Sequence, residues 1–284
     1  MLEFASSTAP SHTATDLTDD RRMPRETTPE VFLIARPSID VAAMGAYLES
    51  VGGTGWLEGR LEQSAHPNPG EHLVEFCGRV CYRSWEPGLN ANVSRIRTDQ
   101  REYLGNLLAS QHGSVLEHAS FTFALRNVSR VFTHELVRHR AGSAFSQESL
   151  RYVRLTDIGL RVAPALEPVR EQVVSLVEQL EEFQVAAAQQ LGLDDEGVPF
   201  HVKKEVTSAL RRLAPLGLST DIVWTANVRT LRHVIEMRTA PGAEEELRSV
   251  FDAIARAMVT EAPLLFQDFV REDDGTWRPE HRKV

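Results

Sequence analysis

From Arg138 to Tyr152 the chain reads Arg-His-Arg-Ala-Gly-Ser-Ala-Phe-Ser-Gln-Glu-Ser-Leu-Arg-Tyr. The guanidinium groups of Arg138, Arg140 and Arg151, the imidazole of His139 and the hydroxyls of Ser143, Ser146 and Ser149 crowd into this stretch. A guanidinium is planar, permanently charged and able to hold phosphate through two parallel hydrogen bonds. Hydroxyls and loop amides complete a cradle for such an anion. A nucleotide monophosphate is a natural guest. Arg154 and Arg161 extend the basic island, and such clusters commonly form a solvated, salt-bridged face instead. Downstream, Asn227, Leu231, Val234 and Arg238 have the spacing of one helix face. Arg238 there either offsets a helix dipole or carries its charge into a site.

Three other chemistries fit less well. His134-Glu135 and His139 look like a zinc-protease pair, but one residue too many separates the imidazoles, a rotation of about 100° on a helix. No metal site is therefore expected. Ser149 has no His and acid placed to make it a nucleophile, so its hydroxyl reads as a hydrogen-bond donor. Cys81 lies one helical turn from Cys77, and these two cysteines read as reduced thiols.

The elements that must position these groups follow from periodicity and caps. Residues 1–30 are rich in Ser, Thr, Pro, Asp and Arg and read as a mobile extension. Val31–Ala35 reads as a strand, Val41–Val51 as a helix and Gly52–Pro69 as a loop. Glu71–Tyr82 and Arg97–Ser110 read as helices, the first with Val74, Cys77, Gly78 and Cys81 on one side. Phe121, Phe123 and Leu125 alternate with smaller residues, which is a strand. Ser129 is placed to cap the helix that runs into Arg138-His139-Arg140. Ser149–Leu155 reads as extended. Glu171–Leu191 is an amphipathic helix with Val174, Val177, Leu180 and Phe183 inward and Gly192 at its end. Val202–Leu213 is a further helix, Ser219 caps a long one reaching Arg238, and Ala243–Ala262 is the last. The fold class is α+β, helix-rich, one domain with an antiparallel or mixed sheet: 31–270 catalytic, 271–284 a tail.

The bulk figures bound the function. The chain has 284 residues, 42% hydrophobic and 25% charged, ample for a core. A net charge of −9 excludes a general nucleic-acid binder and leaves the basic island to a small anion. No apolar run approaches the roughly 20 residues of a membrane span, and no signal-peptide pattern opens the chain. A cytoplasmic protein is expected. No Gly-x-Gly-x-x-Gly follows a strand, so a Rossmann domain is not expected.

Taken together, several segments resemble the flavin-dependent thymidylate synthases. Arg138-His139-Arg140, then Ser149 and Arg151-Tyr152, is similar to the family signature of Arg-His-Arg, seven residues and Ser. Here eight residues intervene. His112-Gly113-Ser114-Val115-Leu116-Glu117-His118 resembles the flavin-contacting stretch, and Arg79-Val80-Cys81-Tyr82 an earlier flavin-side segment where Ser is common at the place of Cys81. Leu210-Arg211-Arg212-Leu213-Ala214-Pro215, Trp224-Thr225-Ala226-Asn227-Val228-Arg229 and Met237-Arg238 follow in the family's order. The likeness covers roughly residues 70–270. Pro241-Gly242-Ala243-Glu244-Glu245-Glu246 replaces a run in which many relatives carry Gln-Trp-Glu, and His233 stands where Asn is common.

The resemblance implies methylation of C5 of dUMP with FAD as cofactor, NADPH as reductant and methylenetetrahydrofolate as carbon donor, in a homotetramer with sites shared between subunits. By position it gives the nucleotide to Arg138, Gln147, Glu148, Ser149, Arg151, Arg211 and Arg238, and FAD to Cys81, His112, Ser114, Arg138, His139, Arg140, Asn227 and His233. Arg238, Ser149 and His112 are the catalytic candidates. A cation such as Arg238 beside the uracil carbonyl and N3 would stabilise negative charge there and make C5 nucleophilic without an enzyme adduct. The extra residue before Ser149 is expected to bulge or reshape a loop along the phosphate and sugar, with UMP turnover as a consequence. The same chemistry on UMP, and a nucleotide- or flavin-binding regulator without turnover, are the alternatives.

Overall fold

Alternation of Phe121, Phe123 and Leu125 with Thr122 and Ala124 produces the central strand of the computed structural model, β2 (Ser120–Ser129). The structure describes residues 26–63, 68–282 and 284. Most of the expected N-terminal extension, 1–25, lies outside them. Strands β1 (Glu30–Ala35), β3 (Ser143–Gln147) and β4 (Ser219–Asn227) join β2 in an antiparallel sheet of order β1-β2-β4-β3. Leu33 pairs with Phe123 and Phe123 with Trp224. One sheet face thus carries Phe121, Phe123, Leu125, Ile222 and Trp224, all buried. Each such aromatic or leucine contributes roughly 1.5–3 kcal/mol when fully buried.

Helices cover that face: α3 (Pro69–Tyr82), α4 (Gln100–Ala109), α8 (Val228–Thr239) and α9 (Glu245–Glu261). Val74, Leu104, Leu108, Leu231, Val234, Phe251 and Ile254 join the sheet residues in one cluster. Helix α1 is Val41–Val51 as expected. Helix α6 (Arg170–Gln190) buries Val177, with Val174 and Leu180 half-buried, but Phe183 turns outward at 49% exposure. Helix α7 (Phe200–Leu210) continues into a 3₁₀ turn, and a short hairpin, β5 (Phe269–Arg271) with β6 (Trp277–Pro279), packs Trp277 against the core.

Four expectations are corrected. The segment from Ser219 is not a helix; Ile222, Trp224 and Ala226 alternate inward as β4, and Asn227 rather than Ser219 caps α8, accepting from the Thr230 N–H at 2.9 Å. The segment after Gly52 contains helix α2 (Thr54–Gln63), held by the Trp56 indole and Arg60 on the fully buried Glu75 of α3. Extended pairing falls on 143–147, while Ser149–Leu155 forms turns. Finally, β3 pairs with β4 from Ser143↔Ala226 to Gln147↔Ile222 without a bulge. The eight residues before Ser149 are a tight turn and an edge strand, not a bulged loop. Gly142 in that turn has φ 65°, and a Cβ there would overlap the Asn227 side chain.

Candidate active site

Ser129 begins the local architecture. Its hydroxyl accepts from the Phe132 N–H at 3.1 Å and caps α5 (Arg130–Leu136). Its own N–H (2.7 Å) and its O–H donate to the buried carboxylate of Glu246 on α9. This clamp fixes the helix that leads into Arg138-His139-Arg140. The helix ends at Leu136, so His139 lies beyond it, in the turn before β3, while His134 faces a different cavity.

A cavity of about 620 Å³ lies between that turn and the start of α8. Arg138, His139, Arg140, Asn227 and His233 line it. The guanidinium groups of Arg138 and Arg140 make no hydrogen bond or ion pair among the described residues. His139 does: its Nε2 accepts from the Arg238 Nε–H at 2.8 Å. A guanidinium can only donate, so this ring nitrogen is unprotonated and Nδ1 carries the proton. Burial, the Arg238 cation and neighbouring His233 push its pKa down to about 4. Arg238 also reaches the Glu135 carboxylate at 2.5 Å and carbonyl at 3.5 Å. It stands behind His139, pinned by two partners, rather than on the cavity wall.

A second cavity, about 320 Å³, gathers Gln147, Glu148, Ser149 and Arg211, with Arg130 and His134. The Ser149 oxygen accepts from the Arg151 N–H at 3.3 Å and its proton stays free to donate. Gln147 donates to the Thr133 hydroxyl at 2.9 Å, leaving its amide oxygen as acceptor. The Arg211 side chain has no hydrogen bond or ion pair among the described residues. Arg151 has none either from its side chain, and lines a third cavity with His201, Lys204 and Arg212. The basic island therefore divides. Arg154 is paired to Asp194 at 2.8 Å and Arg161 to Glu245, whereas Arg138, Arg140, Arg151 and Arg211 keep their charge unpaired.

His112 is apart from the 620 Å³ cavity. It contacts Tyr82 edge-on at 5.6 Å and lines a pocket with Arg95, Arg97 and Tyr103. Ser114 is exposed in the 3₁₀ turn that follows. Cys81 is exposed and donates to the Cys77 carbonyl at 3.4 Å; burial pushes the Cys77 thiol up to about 11. Cys77 is therefore not poised as a thiolate.

Sequence reasoning missed Arg130. It is the first residue of α5, and its NH2 group donates to the Glu148 carbonyl at 3.0 Å. Its Nε is buried with no hydrogen-bond partner, and burial with nearby Arg211 lowers its pKa. A cation in the first turn of a helix opposes the dipole, and that misplacement was the available signal. Glu135, which holds Arg238, and His281, on the wall of the main cavity, were also missed.

The family profile described as thymidylate synthase complementing protein matches residues 64–264. A flavin-dependent thymidylate synthase of Mycobacteroides abscessus is 38% identical over 216 residues, 74% of this chain and 83% of that protein. The one from Mycolicibacterium gilvum is 35% identical over 217 residues, with the same coverage. Among solved structures, the UMP/dUMP methylase PolB of Streptomyces cacaoi bound with 5-Br UMP superposes with a TM-score of 0.54 at 19% identity, covering 86% of this chain and 94% of that one. Thymidylate synthase X of Helicobacter pylori with FAD and dUMP gives 0.50 at 23%, covering 70% and 93%. These two likenesses concern the fold.

Proposed function

Because this chain belongs to the flavin-dependent thymidylate synthase family, we propose that it methylates C5 of dUMP with FAD, NADPH and methylenetetrahydrofolate. The observation that carries this reading is the set of guanidinium groups, Arg138, Arg140, Arg151 and Arg211, that have no counter-carboxylate among the described residues of an acidic protein. Unpaired cations around cavities are an anion site in waiting.

The residues of the main cavity fit FAD. Its volume lies in the range of cofactor pockets. Arg138 and Arg140 offer charge to a pyrophosphate, and His139 and Asn227 offer hydrogen bonds. Reduced FAD supplies the hydride. The protein's part is orientation and charge. Ser149, Gln147, Arg130 and Arg211 hold the nucleotide phosphate and sugar; Arg151 joins them. Arg238, kept rigid by Glu135 and neutral His139, brings positive charge to the uracil, where it favours the electron-rich C5. The carboxylate of Glu135 tempers that charge and fixes its position.

The residues assigned to nucleotide and flavin are divided among several cavities of one chain, which supports sites shared between subunits. The outward sheet face supports the same: Phe32, Ile34 and Val223 are 46%, 54% and 36% exposed, an apolar surface suited to a second copy within a homotetramer. Among the described residues no helix is long and apolar enough to cross a membrane. The same chemistry on UMP is the second reading, motivated by the eight residues between Arg140 and Ser149. NADPH oxidation with dUMP and UMP in parallel, with and without the folate, tests both.

A further inference from the structure

The family match ends at residue 264, yet the main cavity is walled in part by Pro279, His281, Arg282 and Val284. We propose that this C-terminal strap completes the flavin cavity and that His281 is a flavin-contacting residue; the inference rests on FAD being the ligand. The strap is anchored in the core. Trp277 is buried, with its indole N–H on Asp252 at 2.8 Å. Arg232 and Asp268, 4% and 5% exposed, form a pair at 2.7 Å. Asp268 accepts from the His281 N–H at 3.1 Å, and Arg232 donates to the His281 carbonyl at 3.3 Å.

The His281 backbone is thus held on both sides, while its imidazole has no hydrogen bond or ion pair among the described residues. That imidazole, with one donor and one acceptor, shares the cavity with Arg138, His139 and Arg140. Beyond it, the Val284 carbonyl accepts from the Arg229 Nε–H at 3.2 Å. A Cβ on Gly113 would overlap the carbonyl carbon of Val284, so the strap closes directly over the His112-Gly113-Ser114 segment.

The test is FAD titration of the full chain by flavin fluorescence, comparing the wild type with His281→Ala and His281→Gln. Loss of one hydrogen bond should weaken FAD binding about five-fold in the Ala variant, with partial recovery in Gln. The melting temperature and dUMP affinity should not move, since the imidazole has no hydrogen bond or ion pair among the described residues. Equal FAD affinity in all three proteins would overturn the role of His281 while leaving the proposed function intact. Tighter binding by His281→Ala would overturn it too, because the imidazole would then be an obstacle. A folded wild type that binds no FAD would defeat both readings.

Discussion

Arg130 separates stability from binding. Arg130→Met keeps the length of the side chain and removes its charge. In the free protein the substitution forfeits the bond from Arg130 to the Glu148 carbonyl, about 1–1.5 kcal/mol. It also removes a buried, partnerless Nε, an unsatisfied donor that costs about 1–3 kcal/mol, and the repulsion from Arg211. Arg130 is only half-buried, so solvent screening trims both effects. The net change in folding stability should lie between zero and about 1 kcal/mol of stabilisation, a rise of up to about 4 °C in Tm. With nucleotide bound, the same group becomes a charge-assisted donor to phosphate. Losing it should cost about 1.5–3 kcal/mol, roughly ten- to 150-fold in Kd. Thermal unfolding and dUMP calorimetry at one ionic strength measure the two quantities independently. A variant that melts lower and binds dUMP as tightly as the wild type would show that Arg130 is a structural donor and not a ligand contact.

His139 should titrate near pH 4 by imidazole NMR, not near 6.5. Its folded pKa is below the unfolded one, so its contribution to stability is complete above pH 6.5 and is lost as pH falls from 6.5 towards 4. After discounting for the half-exposed ring this amounts to about 1 kcal/mol, and His139→Gln should flatten that part of the pH–stability curve. Glu246→Gln should destabilise the fold by about 1–3 kcal/mol, because the carboxylate accepts both Ser129 donors at the start of α5; denaturant melts read the cost, and FAD affinity should fall with it. Cys81→Ser should retain turnover, since its thiol touches only its own helix; a covalent nucleotide adduct trapped on Cys81 in the wild type would contradict this.

The sheet and most helices could be read from the chain because their signals are local. Ser129 announces its cap, and Phe121, Phe123 and Leu125 announce their strand. Strand β4 was misread because the four-three-four spacing from Asn227 to Arg238 drew the helix backwards over Ile222, Trp224 and Ala226, whose period of two was already visible. Helix α2 holds Gly55 and Gly59, which weaken its propensity, and it forms through the distant Glu75. The site was readable as residue types but not as partners. Nothing in the sequence tells Arg154, paired across 40 positions with Asp194, from Arg151, which is unpaired. That division is made by tertiary packing. The same holds for Glu135 and His139 on Arg238, and for His281, brought to the cavity by a pair between Arg232 and Asp268.

The most direct test is product analysis with the purified, FAD-reconstituted protein supplied with NADPH, methylenetetrahydrofolate and either dUMP or UMP. A C5-methylated nucleotide should appear by mass spectrometry only when folate and nucleotide are both present, and Arg238→Ala should abolish it while FAD remains bound. Flavin binding and NADPH consumption with no methylated product from either nucleotide would contradict the assignment of these residues to uridylate methylation.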